Sequence, residues 1–167
     1  MYQIDFNRPI HIYFIGIGGI SMSGLAQILL TKGFTVSGSD RTPSSLTKSL
    51  EASGVTVFYE QVYQNLTKEV DLVVYTSAIH EGHPELTAAA DLNIPTLSRA
   101  QLLGQMMKNY ELPVAVSGTH GKTTTTSMIS EILLAANTDP TLSIGGMTCE
   151  NCARRVENAL NALDGVW

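Results

Sequence analysis

Twice in this chain an apolar, β-rich run ends in glycines and passes straight into a helical pattern. His11 to Ile15 leads into Gly16-Ile17-Gly18-Gly19-Ile20-Ser21, and Pro113 to Val116 leads into Ser117-Gly118-Thr119-His120-Gly121-Lys122-Thr123-Thr124-Thr125-Thr126. A strand, a glycine turn and a helix in that order predict an α/β fold with a parallel sheet, because the helix must carry the chain back across a sheet face before the next strand. In the second turn the glycines let successive N–H groups point at one anion, and the helix N-terminus adds its partial positive charge.

That second turn carries the more specific chemistry. Lys122 is placed to reach the terminal phosphates of a nucleotide, and the hydroxyl of Thr123 to meet Mg²⁺. The spacing is GxxGKT, with Val116 where the usual GxxxxGK[ST] loop has its first glycine, so a strict match fails. The alternative is a Thr-rich helix start with an incidental lysine. In the first turn Ser21 stands where GxGxxG would have its third glycine, and Asp40 lies at the distance where an acidic side chain meets a ribose hydroxyl. NAD is the ordinary ligand of such a turn, which makes a dehydrogenase one reading and a ligand-free structural turn another.

The remaining chain keeps the same rhythm. Met22, Leu25, Ala26, Leu29 and Leu30 share a helix face, and Gly33 suits its end. Phe34–Ser37 reads as a strand, Ser44 or Ser45 as the cap of a short helix closed by Gly54, and Val55–Tyr59 as a strand. Asp71–Thr76 is a continuous apolar run of the kind expected for a central parallel strand, with Ser77 and Ala78 at its ligand-facing end. Pro84 opens a helix through Asp91, Ile94–Leu97 is a short strand, and Leu102, Leu103, Met106 and Met107 share a helix face. His80 and His83 are expected as exposed loop histidines flanking Glu81, since no third metal ligand is near them in sequence.

With 167 residues, 44% hydrophobic and 15% charged, the chain has room for one well-buried domain plus part of another. A net charge of -5 gives no overall basic field for a nucleic acid or an anionic membrane. The uncharged run Ile10–Leu30 approaches the length of a membrane span, but its four glycines, Ser21, Ser23 and Gln27 fit strand, turn and helix better. No signal-peptide pattern opens the chain, and Cys149 and Cys152 sit together instead of being spread as in a disulfide framework, so a cytoplasmic setting is expected.

GTHGKTTTT after an apolar strand resembles the ATP loop of the Mur ligases, and GIGGISMSGLA resembles the opening of the members that add L-alanine to UDP-N-acetylmuramate. TSAI followed by HPEL, and SRA, extend the resemblance, which runs from about Ile10 to Gly146. It implies a Rossmann-like UDP-sugar-binding domain over 1–109, with Gly16, Gly18 and Gly19 near the diphosphate, Asp40 near the uridine, Ser21 also on the UDP-sugar, and Ser77, Ala78 and Arg99 near the substrate. Residues 110–146 would then begin an ATP-binding central domain. Gly118, Thr119, His120, Gly121, Lys122, Thr123 and Thr124 would surround ATP, with Lys122 the catalytic lysine and Thr123 on Mg²⁺. Family members form an acyl phosphate with ATP and let an amine attack it. Their remaining metal ligands and amino-acid-binding domain come later than the residues matched here. The chain is therefore expected to bind UDP-N-acetylmuramate and ATP but not to complete the reaction by itself, L-alanine being a partner only alongside those domains.

At Met147 the character changes. Met147-Thr148-Cys149-Glu150-Asn151-Cys152 and the helical pattern after it resemble the start of heavy-metal-associated domains of copper ATPases and copper chaperones, over a partial segment 147–167. Two thiolates with two residues between them suit Cu(I), a soft ion content with two sulfur ligands, whereas Zn²⁺ would want four donors. A redox CxxC and a pair of unligated cysteines are the alternatives. At the level of the whole chain, a copper-binding module or a non-catalytic UDP-sugar or nucleotide binder stands beside the ligase reading.

Overall fold

A computed structural model describes residues 2–138 and 140–142. The chain divides into two compact units, the first ending at Pro113 and the second beginning at Val114.

The first unit is built on a five-stranded parallel sheet. Its strands are β1 (His11–Ile15), β2 (Thr35–Ser39), β3 (Thr56–Phe58), β4 (Leu72–Tyr75) and β5 (Thr96–Ser98), in the order β3-β2-β1-β4-β5. β1 is central. Ile12 lies between Val36 of β2 and Leu72 of β4, and Ile15 lies between Ser39 and Tyr75. From β1 the chain winds outward to β2 and β3, then crosses back to β4 and β5 on the other side. That reversal makes the gap between β1 and β4 a topological switch point, and at such a point the strand ends leave a crevice.

Helix α1 (Ile20–Thr31) connects β1 to β2, α2 (Ser45–Ala52) connects β2 to β3, α3 (Pro84–Asp91) connects β4 to β5, and α4 (Arg99–Met107) follows β5. One apolar layer joins Met22, Leu25 and Leu29 of α1, Leu50 of α2, and Leu102 and Met106 of α4 to Ile12, Phe14, Val36, Leu72 and Val74. The opposite layer joins Tyr13, Ile15 and Val73 to Ala88 and Ala89 of α3 and to Leu66, Val70 and Ile94. Neighbouring residues of β1 therefore face different layers, as the two-residue period of a strand demands. Each large apolar side chain fully buried here contributes about 1.5–3 kcal/mol of transfer free energy. The crossover from β3 to β4 carries only a single 3-10 turn, Tyr63–Asn65.

The expected elements of this unit are present within a residue or two. Ser44 is the cap of α2 and forms a reciprocal capping box with Thr47. Gly33, with φ of 84°, follows the end of α1 as expected.

In the second unit a helix, α5 (Lys122–Ala135), begins directly after the second glycine turn. It starts at Lys122, so the threonines form its first turns. Of the hydroxyls along this helix, those of Thr126, Ser127 and Ser130 each donate to the carbonyl four residues earlier. The strand expected over Pro113–Val116 does not form. That segment has no strand assignment and Val114 is 53% exposed. A parallel strand exists only through its neighbours, and among the described residues this segment has none.

Candidate functional site

Three of the parallel strands end on elements that meet at one edge of the first unit. After β1 the chain makes the turn Gly16–Gly19, with Gly16 at φ of 82°, a region that disfavours any residue with a Cβ. All four turn amides are used internally. Gly16 N and Ile17 N donate to the carbonyl of Ser39 at 2.8 and 2.9 Å, and Gly19 N donates to the carbonyl of Gly16 at 3.3 Å. Gly18 N donates to Asp40 Oδ2 at 2.8 Å. The end of β2 thus holds the turn after β1 through both a carbonyl and a carboxylate.

The next three amides, those of Ile20, Ser21 and Met22, have no acceptor among the described residues, and the N-cap Gly19 offers no side chain to supply one. They are the open end of a 12-residue helix. Arg99, first residue of α4, reaches across to this end, where its Nη1 donates to Ser21 Oγ at 3.0 Å. The half-buried guanidinium has no carboxylate bonded to it among the described residues. Three free amides, the positive pole of α1 and an unneutralised arginine converge there, an arrangement that suits a phosphate or diphosphate.

The structure therefore joins the turn glycines to Asp40 and Ser21 to Arg99. Ser77 and Ala78 lie on the same edge, just after β4; both are exposed, and Ala78 N is tied to Thr76 Oγ1 at 3.3 Å. His83 departs from the expectation of an exposed loop histidine. It is half-buried as the N-cap of α3, its Nδ1 accepting from Glu85 N at 3.3 Å while its Nε2 faces Gln61 Oε1 at 3.4 Å. His80 is exposed, as expected.

Two important positions escaped the sequence reading. A Cβ on Gly38 would come within 2.4 Å of the Phe14 carbonyl and 3.0 Å of Ile17, so glycine in β2 lets the turn after β1 pack down on its neighbour. Glu85 is fully buried, its carboxylate accepting from Tyr13 OH at 2.6 Å, Asn65 Nδ2 at 2.8 Å and Ser39 Oγ at 2.7 Å. Burial, and then the hydrogen bond to Glu85, push the Tyr13 phenol well above its ordinary pKa. An acidic residue in a first helical turn is a common N-terminal signal and gave no hint of burial.

In the second unit the turn leads to Gly121, the N-cap of α5 with φ of 75° and no side chain to cap the helix. The amides of Lys122, Thr123 and Thr124 have no acceptor among the described residues. The Lys122 side chain is exposed but folds back on its own loop, donating to the carbonyls of Gly118 and Thr119. Those are replaceable contacts for an ammonium that would meet an anion. Cys149 and Cys152 lie outside the described residues. Among the described residues, no cluster of three or more His, Cys, Asp or Glu is arranged to hold a metal ion, and no helix is long and apolar enough to cross a membrane.

A parallel sheet with a glycine turn and an open helix end at its carboxyl edge is the frame of a nucleotide-binding α/β domain. Residues 11–111 match the family model "Mur ligase family, catalytic domain", and the chain belongs to the Mur ligase family. Residues 141–166 match the model of the heavy-metal-associated domain. The chain is 66% identical over 147 residues to a UDP-N-acetylmuramate–L-alanine ligase of Agathobacter rectalis, and 61% identical to one of Lachnospira eligens. Each alignment covers 88% of this chain but 32% of the relative, so the chain spans about a third of the length of the proteins it matches. Among solved structures, UDP-N-acetylmuramate-alanine ligase from Thermotoga maritima superposes with a TM-score of 0.74 at 33% identity, over 83% of this chain and 32% of that one. The UDP-N-acetylmuramate:L-alanyl-gamma-D-glutamyl-meso-diaminopimelate ligase from Neisseria meningitides also gives 0.74, at 35% identity, over 86% of this chain and 45% of that one.

Proposed function

We propose that this chain is the nucleotide-binding N-terminal portion of a ligase that adds L-alanine to UDP-N-acetylmuramate. The turn after β1 would receive the diphosphate of the UDP-sugar, and the turn before α5 the phosphates of ATP. The observation that carries this reading is a contrast among helix starts. α2, α3 and α4 are capped by the side chains of Ser44, His83 and Ser98, whereas α1 and α5, which follow the two glycine turns, have no side-chain cap. A helix start without a cap leaves unpaired N–H groups and a partial positive charge, and an anionic ligand satisfies both.

On this reading Ile20, Ser21 and Met22 supply amides to the diphosphate, Arg99 supplies charge, and the glycines give it room to approach. Asp40, with one carboxylate oxygen on Gly18, has its other oxygen only weakly engaged by Thr42 N at 3.4 Å, leaving it able to accept from a ribose or uracil donor. Ser77 and Ala78 would border the sugar. In the second unit Lys122 would exchange loop carbonyls for phosphate oxygens, alongside the amides of the residues that follow it and the loop Gly118–Gly121. The Thr123 hydroxyl, half-buried in the first turn of α5 with no hydrogen-bond partner among the described residues, fits one position on Mg²⁺. Magnesium, when bound there, would neutralise charge on the transferring phosphoryl group. We expect this portion to bind both ligands without completing the ligation.

Calorimetry with UDP-N-acetylmuramate against NAD tests the first site, with tighter binding of NAD overturning it. Phosphate release that depends on both L-alanine and UDP-N-acetylmuramate would show instead that the chain is a complete catalyst. The match of residues 141–166 favours a second activity, Cu(I) binding by Cys149 and Cys152. Cu(I) titration of wild type against Cys149→Ser and Cys152→Ser checks it, an unchanged stoichiometry removing the site.

A further inference from the structure

Glu85 is the one fully buried carboxylate among the described residues, and the proposed ligand contacts make no use of it. All three of its donors, Tyr13 of β1, Ser39 of β2 and Asn65 of the crossover, are neutral and aim hydrogens at it. A second donor, Gln61 Nε2, meets Ser39 Oγ at 3.3 Å, so the Ser39 proton is directed to Glu85. These hydrogen bonds satisfy both carboxylate oxygens, and the place of Glu85 in the first turn of α3 adds the favourable end of a helix dipole. Glu85 thus belongs to α3, on the sheet face opposite α1, yet it grips the last residue of β2. The backbone carbonyl of that same residue, Ser39, accepts the amides of Gly16 and Ile17, and the next residue, Asp40, accepts the amide of Gly18.

We propose that Glu85 is a positioning residue for the glycine turn, acting through Ser39. By fixing the Ser39 side chain from beneath the sheet, it fixes the carbonyl that holds Gly16 and Ile17 and the direction in which α1 presents its free amides. The consequence for ligand affinity rests on the UDP-sugar reading above. The consequence for the turn itself does not.

Two measurements on the full chain separate the cases. Residue-resolved amide exchange, without ligand, should show Gly16 and Ile17 exchanging at least about tenfold faster in Glu85→Gln and in Ser39→Ala, with Val73 and Val74 of the central sheet unchanged. Equal acceleration at all four positions would mean that Glu85 only stabilises the fold, and no acceleration at Gly16 and Ile17 would mean that it does not reach the turn; either result overturns the proposal. In calorimetry with UDP-N-acetylmuramate at a temperature where all variants are folded, each single variant should bind about tenfold more weakly, and the double variant no more weakly than Ser39→Ala alone. Additive losses would show that Glu85 acts by another route. A wild type that binds no UDP-sugar while the exchange result holds would sink the ligand assignment and leave the positioning role standing. Should Glu85→Gln fail to fold, Ser39→Ala cuts the same link from its other end.

Discussion

A Cβ at position 18 would lie 2.7 Å from Asp40 Oδ2 and 2.9 Å from Thr47 Cγ2, closer than packed atoms come. Glycine there is required by what stands beside the turn, and the carboxylate that excludes a side chain is the one that binds the Gly18 amide. We expect Gly18→Ala to cost about 1–3 kcal/mol in urea denaturation, as overpacking does. Gly38→Ala, with a backbone oxygen in the way at 2.4 Å, should cost at least as much. Tyr13 gives a pH signature. Its phenol, with an ordinary value of 10.0, is raised in the folded chain by burial and by Glu85. Above that ordinary value the unfolded state has released a proton that the folded state keeps, so stability is fully present below pH 10 and falls as pH rises beyond it. Denaturation between neutral and alkaline pH should show this limb in wild type and a shallower one in Tyr13→Phe. The glycines of the turn were legible as a motif, but the reasons for them were not. Those reasons lie in Asp40, Thr47 and Phe14, which only the fold brings near. Glu85 was hidden for a similar cause: its partners come from two strands and the crossover, and nothing local marks the position as interior.

Among the elements, the helix starts separate into two kinds. Removing a side-chain cap with Ser44→Ala or Ser98→Ala should cost about 1 kcal/mol each, read as a lower denaturation midpoint. Lys122→Ala should abolish ATP binding and leave that midpoint nearly unchanged, because the exposed lysine contacts only carbonyls of its own loop. Unfolding of that variant would show the lysine to be structural. Short apolar runs bounded by glycine and serine marked β1 to β5 and α1 to α4 closely, since hydrophobic period and turn residues act locally. Pro113–Val116 has the same local character yet forms no strand, because strand pairing is a relation with a neighbour that composition does not supply. The histidine cap of α3 was equally out of reach, as a histidine before Pro84 reads first as part of a loop.

At the scale of the whole molecule, the division at Pro113 predicts separable folding. A chain cut after Pro113 keeps the entire parallel sheet and both of its apolar layers, and should unfold cooperatively with a midpoint within a few degrees of the intact chain, as followed by circular dichroism. Loss of cooperative unfolding would show that residues beyond 113 complete the first unit. The α/β class, the parallel sheet and the Mur ligase kinship were readable from the sequence because each rests on patterns within one segment. The bonds joining strand ends across the sheet were not, since they link residues up to 78 positions apart, as in Arg99 with Ser21.

The uncapped starts of α1 and α5 also bear on how the protein should be handled. In sulfate or phosphate buffers the solvent itself would complete these two helices, so melting temperatures would drift upward with the concentration of an ion usually regarded as inert. Comparisons between variants would then be meaningful only in a buffer whose own anion is too bulky or too weakly charged to settle there.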